Sequence, residues 1–148
     1  MGILIDSCLL IHFERNETDV SSYVQGRDEE DIFLSVVSAS ELLGLTGGIE
    51  AAKQALVAAD MQASDIDLFE FNEAFASTSI KFPRDLDVDP ETVNVNGGAI
   101  ALGHAMGATG ATLLGTLLDE MERRDLATGL VAISGAAGIG TATIIERH

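Results

Sequence analysis

His104 sits between Gly103 and Ala105 in a glycine- and alanine-rich run that spans residues 93–110. An imidazole ordinarily titrates near neutrality, so it can pass a proton or donate to an oxygen that gains charge. Gly103 before it and Gly107 three residues after it let the backbone come close to whatever the ring meets. Alone the run is a weak signal, because close helix packing also explains it and a lone histidine there is commonly a packed or capping residue. The other groups with chemical potential are scattered. Asp6 ends the apolar run Ile3-Leu4-Ile5, Cys8 is the one cysteine, and Glu41 follows Ser38 by three residues. A strand-end turn accounts for Asp6, and a capping box accounts for Ser38 and Glu41.

The elements that must hold these groups read as alternating strands and helices. Residues 2–5 and 32–37 have the apolar, β-branched character of buried strands. Ile49, Ala52, Leu56 and Ala59 fall on one helical stripe that begins near Thr46-Gly47-Gly48. Residues 66–71 read as a strand that feeds a helix start at 72–76. Residues 82–89 read as an acidic surface excursion, with Pro83 and Pro90 as breakers. A turn at Asn96-Gly97-Gly98 precedes a helix over 108–124, for which Leu114, Leu117, Leu118 and Met121 are the expected core face. Residues 130–133 and 141–145 are two closing strands joined by a glycine-rich connection. The fold class is therefore α/β.

Composition narrows the function. The formal charge of −16 repels phosphate backbones and anionic lipid, which counts against a nucleic-acid binder and against a membrane surface. A single cysteine allows no internal disulfide and fits a reducing compartment. No apolar stretch approaches membrane-spanning length, no basic region opens the chain as a signal peptide would, and the Met1-Gly2 start lacks the rest of a myristoylation motif. The expected setting is cytoplasmic.

Three segments, taken in order, resemble the C-terminal domain of thiolases, the acyl-CoA acyltransferases that make or cleave 3-ketoacyl-CoA. Phe71-Asn72-Glu73-Ala74-Phe75-Ala76 is similar to the family's Asn-Glu-Ala-Phe motif. Gly103-His104-Ala105 is similar to its Gly-His-Pro region, and residues 129–147 to its final glycine-rich hairpin. The resemblance covers residues 46–148. It implies that His104 is the imidazole that activates a nucleophilic cysteine, and that Asn72 helps hold the thioester oxygen through water. Phe75, Gly103 and Met106 would then lie against the substrate. Ser134 occupies the position of the family's acid/base cysteine, and Ala136 that of a glycine whose backbone approaches the oxyanion. A cysteine thiol, with a pKa of about 8.5, can carry a proton back and forth, whereas an unactivated serine hydroxyl is far too weak an acid. Nothing in these residues matches the nucleophile-bearing domain, and Cys8 stands in the wrong context to replace it. The resemblance implies a coenzyme A thioester as substrate, no cofactor, and inactivity in isolation.

Residues 1–45 resemble the opening of PIN-domain ribonucleases of the VapC type, with Asp6 and Glu41 as the first two metal-binding carboxylates. That resemblance would bring Mg²⁺ or Mn²⁺ and metal-dependent RNA cleavage, although two carboxylates are few for a metal site and the chain is acidic. A non-catalytic fusion that serves as a binding or assembly module is the third reading. The expected architecture is a thiolase-like half-domain over 46–148 preceded by a PIN-like β-α-β-α segment over 1–45. A half-domain exposes faces meant for burial, so a homo-oligomer or a partner subunit that supplies the missing half is expected.

Overall fold

A computed structural model of the chain describes residues 46–135 and 138–148, together with the backbone of two short strands, β1 (Ile3–Ile5) and β2 (Ile32–Leu34). The chain forms two compact units, Met1–Leu43 and Gly44–His148. In the first, β1 and β2 pair in parallel, with Ile3 opposite Ile32 and Ile5 opposite Leu34.

The second unit is built on alternation along one short strand. In β3 (Leu68–Phe71) every residue is buried, and neighbours face opposite sides. Phe69 and Phe71 join a core with Ile49, Ala52 and Leu56 of α1 (Gly47–Ala58) and with Phe82 and Leu86 of α2 (Ala76–Leu86). Leu68 joins a second core with Leu113, Leu117 and Met121 of α4 (Thr109–Arg124). A short helix, α3 (Ala99–Leu102), precedes α4. The strands β4 (Thr128–Ser134) and β5 (Gly140–Glu146) complete a sheet ordered β3–β4–β5. β3 and β4 run parallel, with Phe71 opposite Ala132, while β4 and β5 form an antiparallel hairpin that ends at Ser134 and Gly140. Helices thus cover both faces of a mixed sheet, the α/β layering expected for this part of the chain.

Local polar groups fix the strand ends. Asp67 Oδ2 accepts hydrogen bonds from the Ala127 N–H at 3.0 Å and the Thr128 N–H at 2.9 Å, tying the start of β3 to the start of β4. The Thr128 backbone bond leads the effects that hold the Asp67 carboxyl below the usual range. Gly129 sets how closely α4 lies on the sheet. A Cβ there would fall 2.6 Å from Met121 Sδ and 2.8 Å from Leu117 Cδ2.

Two sequence expectations need correction. The inward face of α4 carries Leu113, Leu117 and Met121, while Leu114 and Leu118 are exposed. Either set satisfies helical spacing, and contact with Val131 and Leu68 decides between them. Residues 82–86 are not a surface excursion. They are the last turn and a half of α2, which contains Pro83 in its interior. Phe82 is fully buried, stacked on Phe71 with ring centroids 4.5 Å apart and edge-on to Phe69 at 5.9 Å. An interior proline costs about 3 kcal/mol. Burial of one phenylalanine side chain (about 1.5–3 kcal/mol) and two aromatic contacts (about 0.5–1.5 kcal/mol each) offset it.

Candidate active site

The carboxyl ends of β3 and β4 lie side by side, and two of the expected site residues emerge there. Asn72 follows β3 directly, and its N–H donates to the Ala132 carbonyl at 2.9 Å, so the sheet pairing runs one residue past the strand. Its side chain is fully buried, and among the described residues neither Oδ1 nor Nδ2 has a hydrogen-bond partner. A buried amide with both ends unpaired is costly, and such groups mark sites where a ligand or water completes the bonding. Ser134 closes β4. Its hydroxyl oxygen accepts the Gly48 N–H at 3.1 Å, at the amino end of α1. A Cβ on Gly48 would lie 2.8 Å from that oxygen, so only glycine lets the helix end come this close.

The loop that carries His104 is tied to this edge through Glu73. Glu73, one residue beyond Asn72, accepts the Ile100 N–H through Oε2 at 3.0 Å and the Asn94 side-chain N–H through Oε1 at 3.0 Å. Gly98 leaves room for this carboxylate, since a Cβ there would fall 2.5 Å from it. Asn94 in turn takes the Phe71 N–H on Oδ1 at 2.7 Å and gives Nδ2–H to the Phe71 carbonyl at 3.0 Å. Its side chain therefore pairs with the edge of β3 as another strand would. Glu73 thus caps the amino end of α3 rather than that of α2, which follows it in sequence. The short α3 ends at Gly103, whose φ of 95° is a conformation that favours glycine. His104 follows, exposed, with Nδ1 2.9 Å from the Thr109 hydroxyl oxygen in the first turn of α4.

Of the residues expected against the substrate, Phe75 is 40% exposed and Met106 80% exposed. Gly103 is exposed beside His104. Ala136 lies outside the described residues, as do Asp6, Cys8 and Glu41. Among the described residues no group of three or more His, Cys, Asp or Glu side chains could hold a metal ion, and no helix is long and apolar enough to cross a membrane.

One carboxyl near this edge stands out in its electrostatics. Glu70, between Phe69 and Phe71, points to the α4 side with Leu68 and is 2% exposed. Burial, reinforced by the charges of Glu73 and Glu120, pushes its pKa up to about 8. Glu120, on the inner side of α4, has the opposite balance. Hydrogen bonds from Arg123 at 2.9 and 2.5 Å lead those from Asn96, at 3.1 Å, and Arg124, and together they draw it down to about 2. Reading for motifs passed over Glu70, Asn94 and Thr109. The available signal for Glu70 was a carboxylate at the inward phase of a strand otherwise made of leucine and phenylalanine.

Comparison with known proteins places the sequence and fold in a family. The family described as "Thiolase, C-terminal domain" matches residues 31–147, a match that starts ahead of residue 46, from which the resemblance was expected to run. The chain is 50% identical over 102 residues to the acetyl-CoA acetyltransferase of Paracoccus denitrificans, covering 69% of this chain and 26% of that protein. It is 49% identical over 106 residues to the 3-ketoacyl-CoA thiolase of Bacillus subtilis (strain 168), covering 72% and 27%. The crystal structure of the Bacillus anthracis acetyl-CoA acetyltransferase superposes with a TM-score of 0.68 at 39% identity, over 72% of this chain and 27% of that one. The chain thus spans about a quarter of the length of the relatives it matches. The ribonuclease resemblance of residues 1–45 gains no support from these matches. A family match over most of the residues, identities near one half and the shared fold lead to one assignment: the chain belongs to the thiolase family, of which it carries the C-terminal domain.

Proposed function

We propose that this chain supplies the histidine- and asparagine-bearing part of an acyl-CoA acyltransferase site, and that it works only where a nucleophile-bearing thiolase half brings a cysteine to it. The observation that carries this reading is the buried Asn72 amide, unpartnered among the described residues, at the same sheet edge that Glu73 ties to the His104 loop. In the reaction a thiolate attacks the thioester carbonyl, coenzyme A leaves with a proton, and the acyl group rests on the cysteine. His104 takes the thiol proton or donates to the oxygen that gains charge. Asn72 offers its amide to a water that bonds the same oxygen. Ser134 cannot shuttle the proton that carbon–carbon bond formation or cleavage requires, so acyl transfer to the cysteine should outpace the second half of the reaction. No metal or cofactor enters this scheme, and a cytoplasmic setting fits the lone cysteine.

Exposed apolar side chains support the need for a partner. Ile100, Leu102 and Met106 on α3 and the following loop, and Leu114 and Leu118 on the outer face of α4, all stand in solvent, with Leu102 74% and Met106 80% exposed. Surfaces of this kind are commonly covered by another chain, either a second copy or a nucleophile-bearing half. The separately produced N-terminal half of the Paracoccus denitrificans relative offers a test by sedimentation velocity. The mixture is expected to sediment as a stable complex, and acetoacetyl-CoA is expected to raise its melting temperature, since a ligand stabilises the state that binds it. Two separate boundaries at micromolar concentration, or a complex whose melt ignores the ligand, would count against the reading.

A further inference from the structure

Glu70 and Thr109 line one cavity of about 50 Å³, roofed by Gly97, Gly98 and Gly103 of the His104 loop. That volume has room for roughly three to five waters, at roughly 10–15 Å³ each by this measure. Glu70 Oε2 is buried without a hydrogen-bond partner among the described residues, while Thr109 already holds His104 Nδ1 at 2.9 Å. Thr109 is itself 7% exposed, and of the other two threonines that line the cavity, Thr112 gives its hydroxyl to the Ala108 carbonyl at 3.1 Å. We propose that Glu70 is a positioning residue that acts on His104 through cavity water and the Thr109 hydroxyl, and that its proton decides which ring nitrogen of His104 is free for chemistry. This rests on the acyltransferase reading for its purpose, though not for its test.

The direction of each hydrogen bond follows from the donors available. A protonated Glu70 donates to water, water donates to Thr109 Oγ1, and the Thr109 O–H donates to His104 Nδ1. The ring proton then sits on Nε2, which becomes a donor suited to an oxyanion. Ionised Glu70 accepts from water and the chain reverses. His104 Nδ1–H then donates to Thr109 Oγ1, and Nε2 keeps a lone pair that can take the thiol proton. No bond other than those to hydrogen is made or broken, and the protons balance.

The other charged groups near Glu70 do not compete for this role. Glu73 is committed to Asn94 and Ile100, and Glu120 to Asn96, Arg123 and Arg124. Both act on Glu70 by raising its proton affinity. The remaining residues that line the cavity carry no charge.

Long-range ¹H–¹⁵N NMR of the full chain, with His104 assigned by its loss in His104→Asn, reads the tautomer directly and needs no substrate or partner. The expected result is Nε2–H at pH 7, passing to Nδ1–H as pH rises through about 8. Glu70→Gln, which always donates, should hold Nε2–H to pH 10, and Thr109→Val should remove the pH step while Glu70 remains. A wild-type tautomer constant from pH 6.5 to 10 would overturn the proposal without any variant. So would a Glu70→Gln or Thr109→Val protein whose step matches wild type. Failure of the acyltransferase reading would appear elsewhere, as absent acyl transfer in a mixture with the nucleophile-bearing half.

Discussion

Glu70→Gln should melt at the same temperature as wild type at pH 5 and at a clearly higher one at pH 8. The fold holds the Glu70 pKa at about 8 against 4.5 for the free group. Between those values the folded chain binds a proton that the unfolded chain has released. Stability depends on pH through that difference, so it falls as pH rises from about 4.5 to about 8 and then levels off. The full shift corresponds to about 5 kcal/mol as an upper bound. Cavity water and local relaxation reduce it, to roughly half. Glutamine keeps the shape and a donor but cannot ionise, so its curve should lack this slope. For a unit of this size the gap at pH 8 should be roughly 5–15 °C. Thermal melts by circular dichroism at half-unit pH steps give both curves. Parallel curves would mean that Glu70 ionises normally, and that the cavity does not enclose it as described.

His104→Ala should lower the rate of acyl transfer to a supplied cysteine by roughly 10²–10⁴-fold and leave the melting temperature nearly unchanged. The ring is exposed and, among the described residues, makes one hydrogen bond, to Thr109. Exposed substitutions of that kind usually fall within about 0.5 kcal/mol. The two readouts separate chemistry from folding. Rapid-quench measurement of the acylated cysteine, in the mixture with a nucleophile-bearing half, gives the rate. A change of less than about threefold would remove His104 from the proton-transfer role, since a general base contributes roughly 10²-fold at the least.

Motif order carried much of this unit, because the segments around Asn72, His104 and the closing hairpin resemble thiolase motifs in their order along the chain. The hairpin register follows from two β-branched runs around glycine-rich residues, and the observed pairing from Thr128–Glu146 to Ser134–Gly140 extends the expected strands at both ends. What sequence alone left hidden depends on which neighbour wins. Leu113 and Leu114 are equivalent by spacing, and only the Gly129 groove into which Leu117 and Met121 fit fixes the rotation of α4. Pro83 argued for a break, and the two phenylalanines beneath Phe82 overrule it. The Glu73–Asn94–Ile100 link joins segments more than twenty residues apart, so no local pattern shows it. Glu70 looks like one more acidic residue in a chain with 24 until the alternation of β3 turns it inward.

The position of Ser134 offers the most direct measurement. The hydroxyl sits at the amino end of α1 and accepts the Gly48 N–H, a place where a thiolate would be favoured by both the hydrogen bond and the helix dipole. The wild-type chain, mixed with a nucleophile-bearing thiolase half and acetyl-CoA, should release one equivalent of coenzyme A in a burst and then stall, because the cysteine is acylated but carbon–carbon bond formation lacks its acid/base. Ser134→Cys should show the same burst followed by steady turnover to acetoacetyl-CoA. No burst from either protein, or turnover by wild type at the rate of Ser134→Cys, would contradict the assignment of this sheet edge as half of an acyltransferase site.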